Sequence, residues 1–197
     1  MTGGVGADFD VVLACGGFEA NAEMRAEHLG PGWGGARVRG SEHNTGDGHR
    51  AAMDVGVAPY GQWDGCHGTP IDVAAPATGD PAVTDSMPRR SYPVGITVNR
   101  DGRRFADESE GFAEQAFVKV AHLIARQPEG VAYQLFDAKG AALLEDRYGS
   151  SKAVRADSVV DLAKALGLDA GTLTATVESF NAVSHDGEYR PRELDGL

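Results

Sequence analysis

The run Asp10-Val11-Val12-Leu13-Ala14-Cys15-Gly16-Gly17-Phe18 constrains the fold more than any other stretch of the chain. Its apolar residues are continuous rather than alternating, and two glycines end it. That pattern predicts a strand buried on both faces of a parallel sheet, followed by a tight turn. Asn21 is placed to cap a helix through Met24 and Leu29, which Gly30-Pro31-Gly32 stops because proline lacks an amide. Thr45 or Asp47 begins a second helix, with Ala51, Ala52 and Val55 at helical spacing and Gly56 at its end.

From Trp63 to Arg90 the sequence is rich in Gly, Pro, Asp and Thr and has little periodicity, the kind of segment that lines a site or moves. Val94 to Asn99 and Arg103 to Ala106 flank an Asp101-Gly102 step, which predicts a hairpin. Phe117, Val120 and Ile124 recur at helical spacing. Val131 to Phe136 reads as a strand with a helix through Leu144 after it. Asp157 is placed to cap a helix bearing Val160, Ala163 and Leu166 that Gly167 stops, and Leu173, Val177 and Phe180 mark another. With 197 residues, 42% of them hydrophobic, the chain can bury a core and holds one or two domains. The expected class is α/β plus α+β.

Charge excludes some partners. Lysine and arginine number 18 against 29 aspartates and glutamates, and a net charge of −11 is repelled by nucleic acid phosphates and anionic lipid. No apolar run approaches the roughly 18–20 residues of a membrane span. Two cysteines are too few for a disulfide framework, and no signal-peptide pattern opens the chain, so a cytoplasmic location is expected.

The literal G-x-G-x-x-G at Gly30 to Gly35 follows a helix rather than a strand, so it reads as a turn. The Gly3-Gly4-Val5-Gly6 run has no strand before it and fails in the same way. None of the six histidines has the spacing of a helical zinc site, and no metal is expected. His67, in Cys66-His67-Gly68-Thr69-Pro70, is either a solvated loop histidine or a polar group projecting into a cleft. Thr45-Gly46-Asp47-Gly48 is either an ordinary helix start or a place where free amides and a carboxylate hold a polar ligand. The carboxylates of Asp107, Glu108 and Glu110 read as a solvated strand end or a cation site, and Cys15 as a small hydrophobe beside the turn.

Five strings in order carry a resemblance across nearly the whole chain. They are Val11 to Phe18, Asn44 to Gly48, Gly65-Cys66-His67, Tyr92 to Asn99, and Asp101 to Glu108. Together they resemble the fumarate reductase/succinate dehydrogenase flavoprotein-like family, most closely its tricarballylate dehydrogenase-like branch. The resemblance implies the end of an FAD-binding, Rossmann-like domain over residues 1–61, then most of a capping domain over residues 62–197. It implies that FAD exchanges a hydride with a small di- or tricarboxylate. Ala14, Cys15, Gly16 and Gly17 match the turn whose backbone approaches the dinucleotide, and Asp47 matches an acidic residue of the flavin site. His67 matches a histidine that binds a substrate carboxylate; Arg89 and Arg90, before the hairpin, are placed to position a carboxylate rather than to donate a proton, and Arg90 joins His67 as the expected substrate contact.

The sequence also departs from the family pattern. Met1 lies downstream of the family's first glycine-rich strand-and-turn, and Leu197 precedes its second flavin segment. The position of a family arginine that delivers a proton is occupied by Ala113, which can transfer none. A truncated flavoenzyme, weakly active or inactive alone, is therefore one expectation. The alternative is a non-catalytic, cap-derived module that binds a ligand or another protein. Either form is expected to self-associate or to meet a complementary flavin-domain chain, because loss of the flavin halves exposes apolar surface.

Overall fold

The computed structural model describes residues 10–109 and 113–184; the Gly3-to-Gly6 run, Glu110 and His185 lie outside them. The stretch 10–18 is not a strand, contrary to its apolar pattern. Val12 is 86% exposed, and Val11 and Leu13 are exposed beside it. A strand buried on two faces needs neighbours for its amides and carbonyls, and none stands beside this segment among the described residues. Its end is held instead by the loop around Gly46 and by the next turn, the Gly17 carbonyl accepting the Gly46 N–H at 3.0 Å and the Phe18 carbonyl the Asn21 N–H at 2.9 Å.

The first helix, α1 (Ala22–Leu29), follows the capping rule: the Asn21 side chain accepts the Met24 N–H at 3.0 Å. Gly30, with φ 104°, and Pro31 end it and open a 3-10 turn over Pro31–Trp33, so the G-x-G-x-x-G string is a turn as expected. Arg25 is buried in α1 and donates to the carbonyls of Glu19, Trp33, Gly34 and Ala36, drawing that turn back against the helix. The second helix, α2 (Asp47–Asp54), is capped by Gly46 at φ 78°, not by Thr45 or Asp47. Asp47 is its first residue, and the Thr45 hydroxyl donates to the Asp47 carboxylate at 2.8 Å rather than capping an amide. Gly56 lies past its end with φ 92°.

The only strands among the described residues are β1 (Ile96–Val98) and β2 (Tyr133–Leu135), which pair antiparallel with Thr97 opposite Gln134. The expected parallel sheet is thus replaced by a small antiparallel one. The Asp101-Gly102 turn forms, with Gly102 at φ 74° and the Asn99 N–H on the Arg103 carbonyl at 2.9 Å. Its return strand shrinks to a single bridge between Val98 and Arg104. The reason is chemical: the Thr97 N–H is taken by the Glu108 carboxylate at 2.5 Å instead of by a hairpin partner. Glu108, only 4% exposed, also accepts from Arg104 Nε at 2.7 Å, which corrects its reading as a solvated strand end.

Two apolar clusters form the core. Ile96 and Val98 meet Ala163 of α5 (Val159–Leu166), Leu173 of α6 (Ala170–Val183) and Leu168 of the turn between them. Ser158, rather than Asp157, caps α5; Gly167 ends it in the left-handed region, and Asp169 caps α6. Tyr92, Phe117 and Val120 form the second cluster on α3 (Ala113–Ala125). The helix expected through Leu144 is one turn, α4 (Ala138–Ala141), followed by a 3-10 stretch over Asp146–Ser150. A buried polar network fastens that stretch to the irregular segment: Arg89 donates to Asp72, Ser150 and Ser151, and lies 5.1 Å over the Tyr148 ring.

Candidate functional site

Two sets of sequence-flagged residues come together in space. The turn of Ala14, Cys15, Gly16 and Gly17 packs against the loop before α2. Gly16 has φ 79°, and a Cβ there would run into Asn44 Oδ1; a Cβ on Gly48 would run into Cys15 Sγ. Glycine backbone therefore meets a side chain on each side of the junction, Gly16 against Asn44 and Gly48 of α2 against Cys15, a closeness that a Cβ would not permit. The Ala20 N–H donates to the Asn44 carbonyl at 2.9 Å, and the Asn21 amide donates to the Thr45 carbonyl at 2.9 Å. Cys15 is an exposed free thiol rather than a packed hydrophobe, since no sheet covers it. Asp47 faces outward beside this junction; hydrogen bonds from Arg50 and Thr45 hold its carboxyl below the usual range, so it is an anion at neutral pH.

Next to the junction, the Phe18 and Trp63 rings stack 6.0 Å apart, and His28 and His49 each meet Trp63 edge-on, at 5.0 and 5.4 Å. His49 Nδ1 is buried there without a hydrogen-bond partner. Sequence reasoning passed over this cluster, because Phe18, His28 and His49 each meet Trp63 from 14 to 45 positions away.

The second set surrounds His67. Its side chain lines an open depression of about 420 Å³ with Gln62, Gly65, Cys66 and Val118. The His67 ring stands edge-to-face with Phe117, centroids 5.2 Å apart at 87°. The Arg90 guanidinium carbon lies 3.8 Å from the centroid of that same ring, and Arg90 Nε donates to Thr69 Oγ1 at 3.2 Å. The loop is fixed on α3 at a further point, where His122 Nε2 donates to the Cys66 carbonyl at 3.0 Å. Burial pushes the Cys66 thiol pKa up, so it stays protonated. Ala113 is the first residue of α3. Phe117 and Thr69 were read only as a helix-face residue and a loop residue; nothing in their spacing pointed to Arg90.

One set joins a glycine turn to a carboxylate and the other an imidazole to a guanidinium, groups chemically able to meet a polar cofactor and an anion. The FAD binding domain family, FAD_binding_2, matches residues 5–191. The chain belongs to this family. FAD is accordingly its cofactor, and the residues present fit it: the glycine turn at 14–17 is hydrogen-bonded to Gly46 at the start of α2, beside the outward-facing Asp47 carboxylate, which can accept from a ribose hydroxyl.

Similarity extends to whole enzymes of the flavin oxidoreductase class. The chain is 32% identical to 3-oxosteroid 1-dehydrogenase of Mycobacterium tuberculosis, over 90% of its own length and 33% of that enzyme. It is 31% identical to fumarate reductase (cytochrome) of Shewanella frigidimarina, over 95% of its length and 31% of the reductase. Among solved structures, 3-ketosteroid delta1-dehydrogenase from Sterolibacterium denitrificans, in complex with 1,4-androstadiene-3,17-dione, superposes with a TM-score of 0.64 at 26% identity. That match covers 92% of this chain and 34% of the enzyme. The chain spans about a third of the length of the curated relatives it matches. No helix among the described residues is long and apolar enough to cross a membrane.

Proposed function

We propose that this FAD-binding chain serves an oxidoreductase of the fumarate reductase or tricarballylate dehydrogenase type, which exchanges a hydride with a small di- or tricarboxylate. The observation that carries this reading is the convergence of His67, which lines an open depression, and Arg90 on one ring, Phe117. FAD, when bound, supplies the hydride-exchanging flavin. Ala14, Cys15, Gly16, Gly17 and Asp47 would hold the cofactor, the turn by its backbone and Asp47 as a hydrogen-bond acceptor. His67 donates a ring N–H to a substrate carboxylate, and Arg90 orients the acid by its charge. Ala113 has no proton to give, so proton delivery falls to another group.

Residues 1–61 act as flavin-domain residues in this reading and residues 62–197 as the cap. The family match runs through both, which weighs against a bare cap-derived binding module. Exposed Val11, Val12, Leu13, Val55, Val57 and Tyr60 offer a face to a second copy or to a complementary flavin-domain chain. A second reading, a cyclic ketone substrate, is favoured by the 32% identity to 3-oxosteroid 1-dehydrogenase.

The test is spectroscopic. The purified chain is mixed with FAD, freed of excess, and its flavin absorbance followed during separate titrations with citrate and with 4-androstene-3,17-dione. A flavin band perturbed by citrate and lost in sensitivity on His67→Ala supports the carboxylate reading; perturbation by the steroid alone replaces it with the ketone. Light scattering across a range of concentrations reads the self-association.

A further inference from the structure

The exposed His67 imidazole and the Arg90 guanidinium sit on different parts of an irregular segment, yet one buried side chain touches both. Phe117 is held in α3 by Tyr92 and Val120, so its ring is anchored in the core while its outer side meets the loop. A guanidinium 3.8 Å from an aromatic centroid is attracted by the negative face of the ring quadrupole. An edge-to-face pair at 5.2 Å uses the same quadrupole in its other orientation. Arg90 Nε is further tied to Thr69, which fixes the rotation of the guanidinium plane.

The loop has little room to move relative to the ring. On one side of His67, the Cys66 carbonyl accepts from His122. On the other, a Cβ on Gly68 would come within 2.8 Å of Trp33 and 3.1 Å of Ala121, so its backbone lies close against α3. Phe117, Ala121 and His122 are thus three contacts of one helix with three successive loop residues.

We propose that Phe117 is a positioning residue that sets the spacing of Arg90 and His67 and thereby prearranges them for an anionic ligand; the ligand part rests on the carboxylate reading above. A prearranged pair binds more tightly because the loop is ordered before the ligand arrives. A ring that merely filled the core would be replaceable by leucine without effect on either group.

The experiment uses the full chain labelled at arginine nitrogen and histidine ring carbon, observed by NMR with citrate as the probe. In the parent protein the Arg90 Nε–H resonance is expected upfield of exposed arginines, and citrate is expected to move it together with His67. Phe117→Leu should return the Arg90 resonance to the exposed position, shift His67, and weaken citrate roughly tenfold, the effect of losing a partly desolvated cation–π contact. Phe117→Tyr should retain both within about threefold, which separates an aromatic requirement from one of volume. Unchanged resonances and affinity in folded Phe117→Leu would overturn the proposal. If the parent ignores citrate but Phe117→Leu still releases Arg90 and His67, the carboxylate reading falls and the positioning role stands. Should Phe117→Leu not fold, Phe117→Met decides by the same readouts: a displaced Arg90 resonance with weaker citrate binding supports the proposal, and unmoved resonances with unchanged citrate affinity refute it.

Discussion

Val12 is 86% exposed and Val98 is wholly buried, and the contrast extends to the segments around them. Residues 10–61 keep their shape mainly through polar contacts to backbone: Asn21 and Arg25 reach carbonyls, and Gly16, Gly46 and Gly48 allow loops to meet. Helix α2 has no buried residue at all. Around β1, α5 and α6, by contrast, Ile96, Val98, Ala163 and Leu173 exclude water from one another. Hydrogen bonds fix geometry but add little net stability, whereas apolar burial adds stability with less directional demand. The 10–61 segment therefore takes its shape from directional contacts, and the β1 region carries more of the folding free energy.

The largest effect expected of that division comes from Leu173→Ala. It removes a fully buried side chain and should destabilise the protein by about 3 kcal/mol in urea denaturation. Arg25→Met leaves the carbonyls of Trp33, Gly34 and Ala36 without their donor, an expected loss of about 2 kcal/mol. Hydrogen exchange should register it at residues 18–36 while the amides of β1 stay protected; equal loss in both places would break the division. Gly16→Ala forces a left-handed backbone onto a residue with a Cβ, about 1–2 kcal/mol, and should lower the flavin retained after gel filtration.

The pH response sharpens the contrast by its sign. Burial, opposed by Arg104, raises the Glu108 carboxyl pKa, so its protonation favours the folded state at low pH. That contribution is complete below the ordinary glutamate pKa of about 4.3 and is lost as pH rises through the raised value. Asp72 behaves oppositely. Burial raises its pKa, but hydrogen bonds from Ser151 and the Ala74 N–H, with the charge of Arg89, bring it below the usual value. Its contribution is present above about pH 3.9 and is lost as pH falls through the lowered value. Glu108→Gln should flatten the first dependence and Asp72→Asn the second, in melting curves across acidic pH. Smallest of all, Asp85→Asn removes an exposed partner of Arg39 and should shift stability by a few tenths of a kcal/mol.

What could be read from sequence was local. The Asn21 cap, the Gly30-Pro31 stop and the Gly167 stop depend on residues within one turn, and each stands where its chemistry puts it. The strand at 10–18 failed because burial of a strand is decided by partners elsewhere, and none lies beside it among the described residues. The hairpin kept its turn and lost its second strand because Glu108, eleven residues on from Thr97, competes for the same amide. The site followed the same rule. Gly16, Asp47 and His67 were legible as residues suited to their loops, whereas Phe117, 27 positions from Arg90, looked like one more apolar residue on a helix face.

The carbonyls gathered by Arg25 belong to residues only 6 to 11 positions away. Closing such short loops sacrifices little chain entropy, and each doubling of loop length adds only about 0.6 kcal/mol. The contact of Thr176 with the Gly102 carbonyl spans 74 positions and rewards the chain only after far more of it has been ordered. The turn around Arg25 can thus close early and independently, so residues 19–36 hold their outline through partial openings of the rest of the protein.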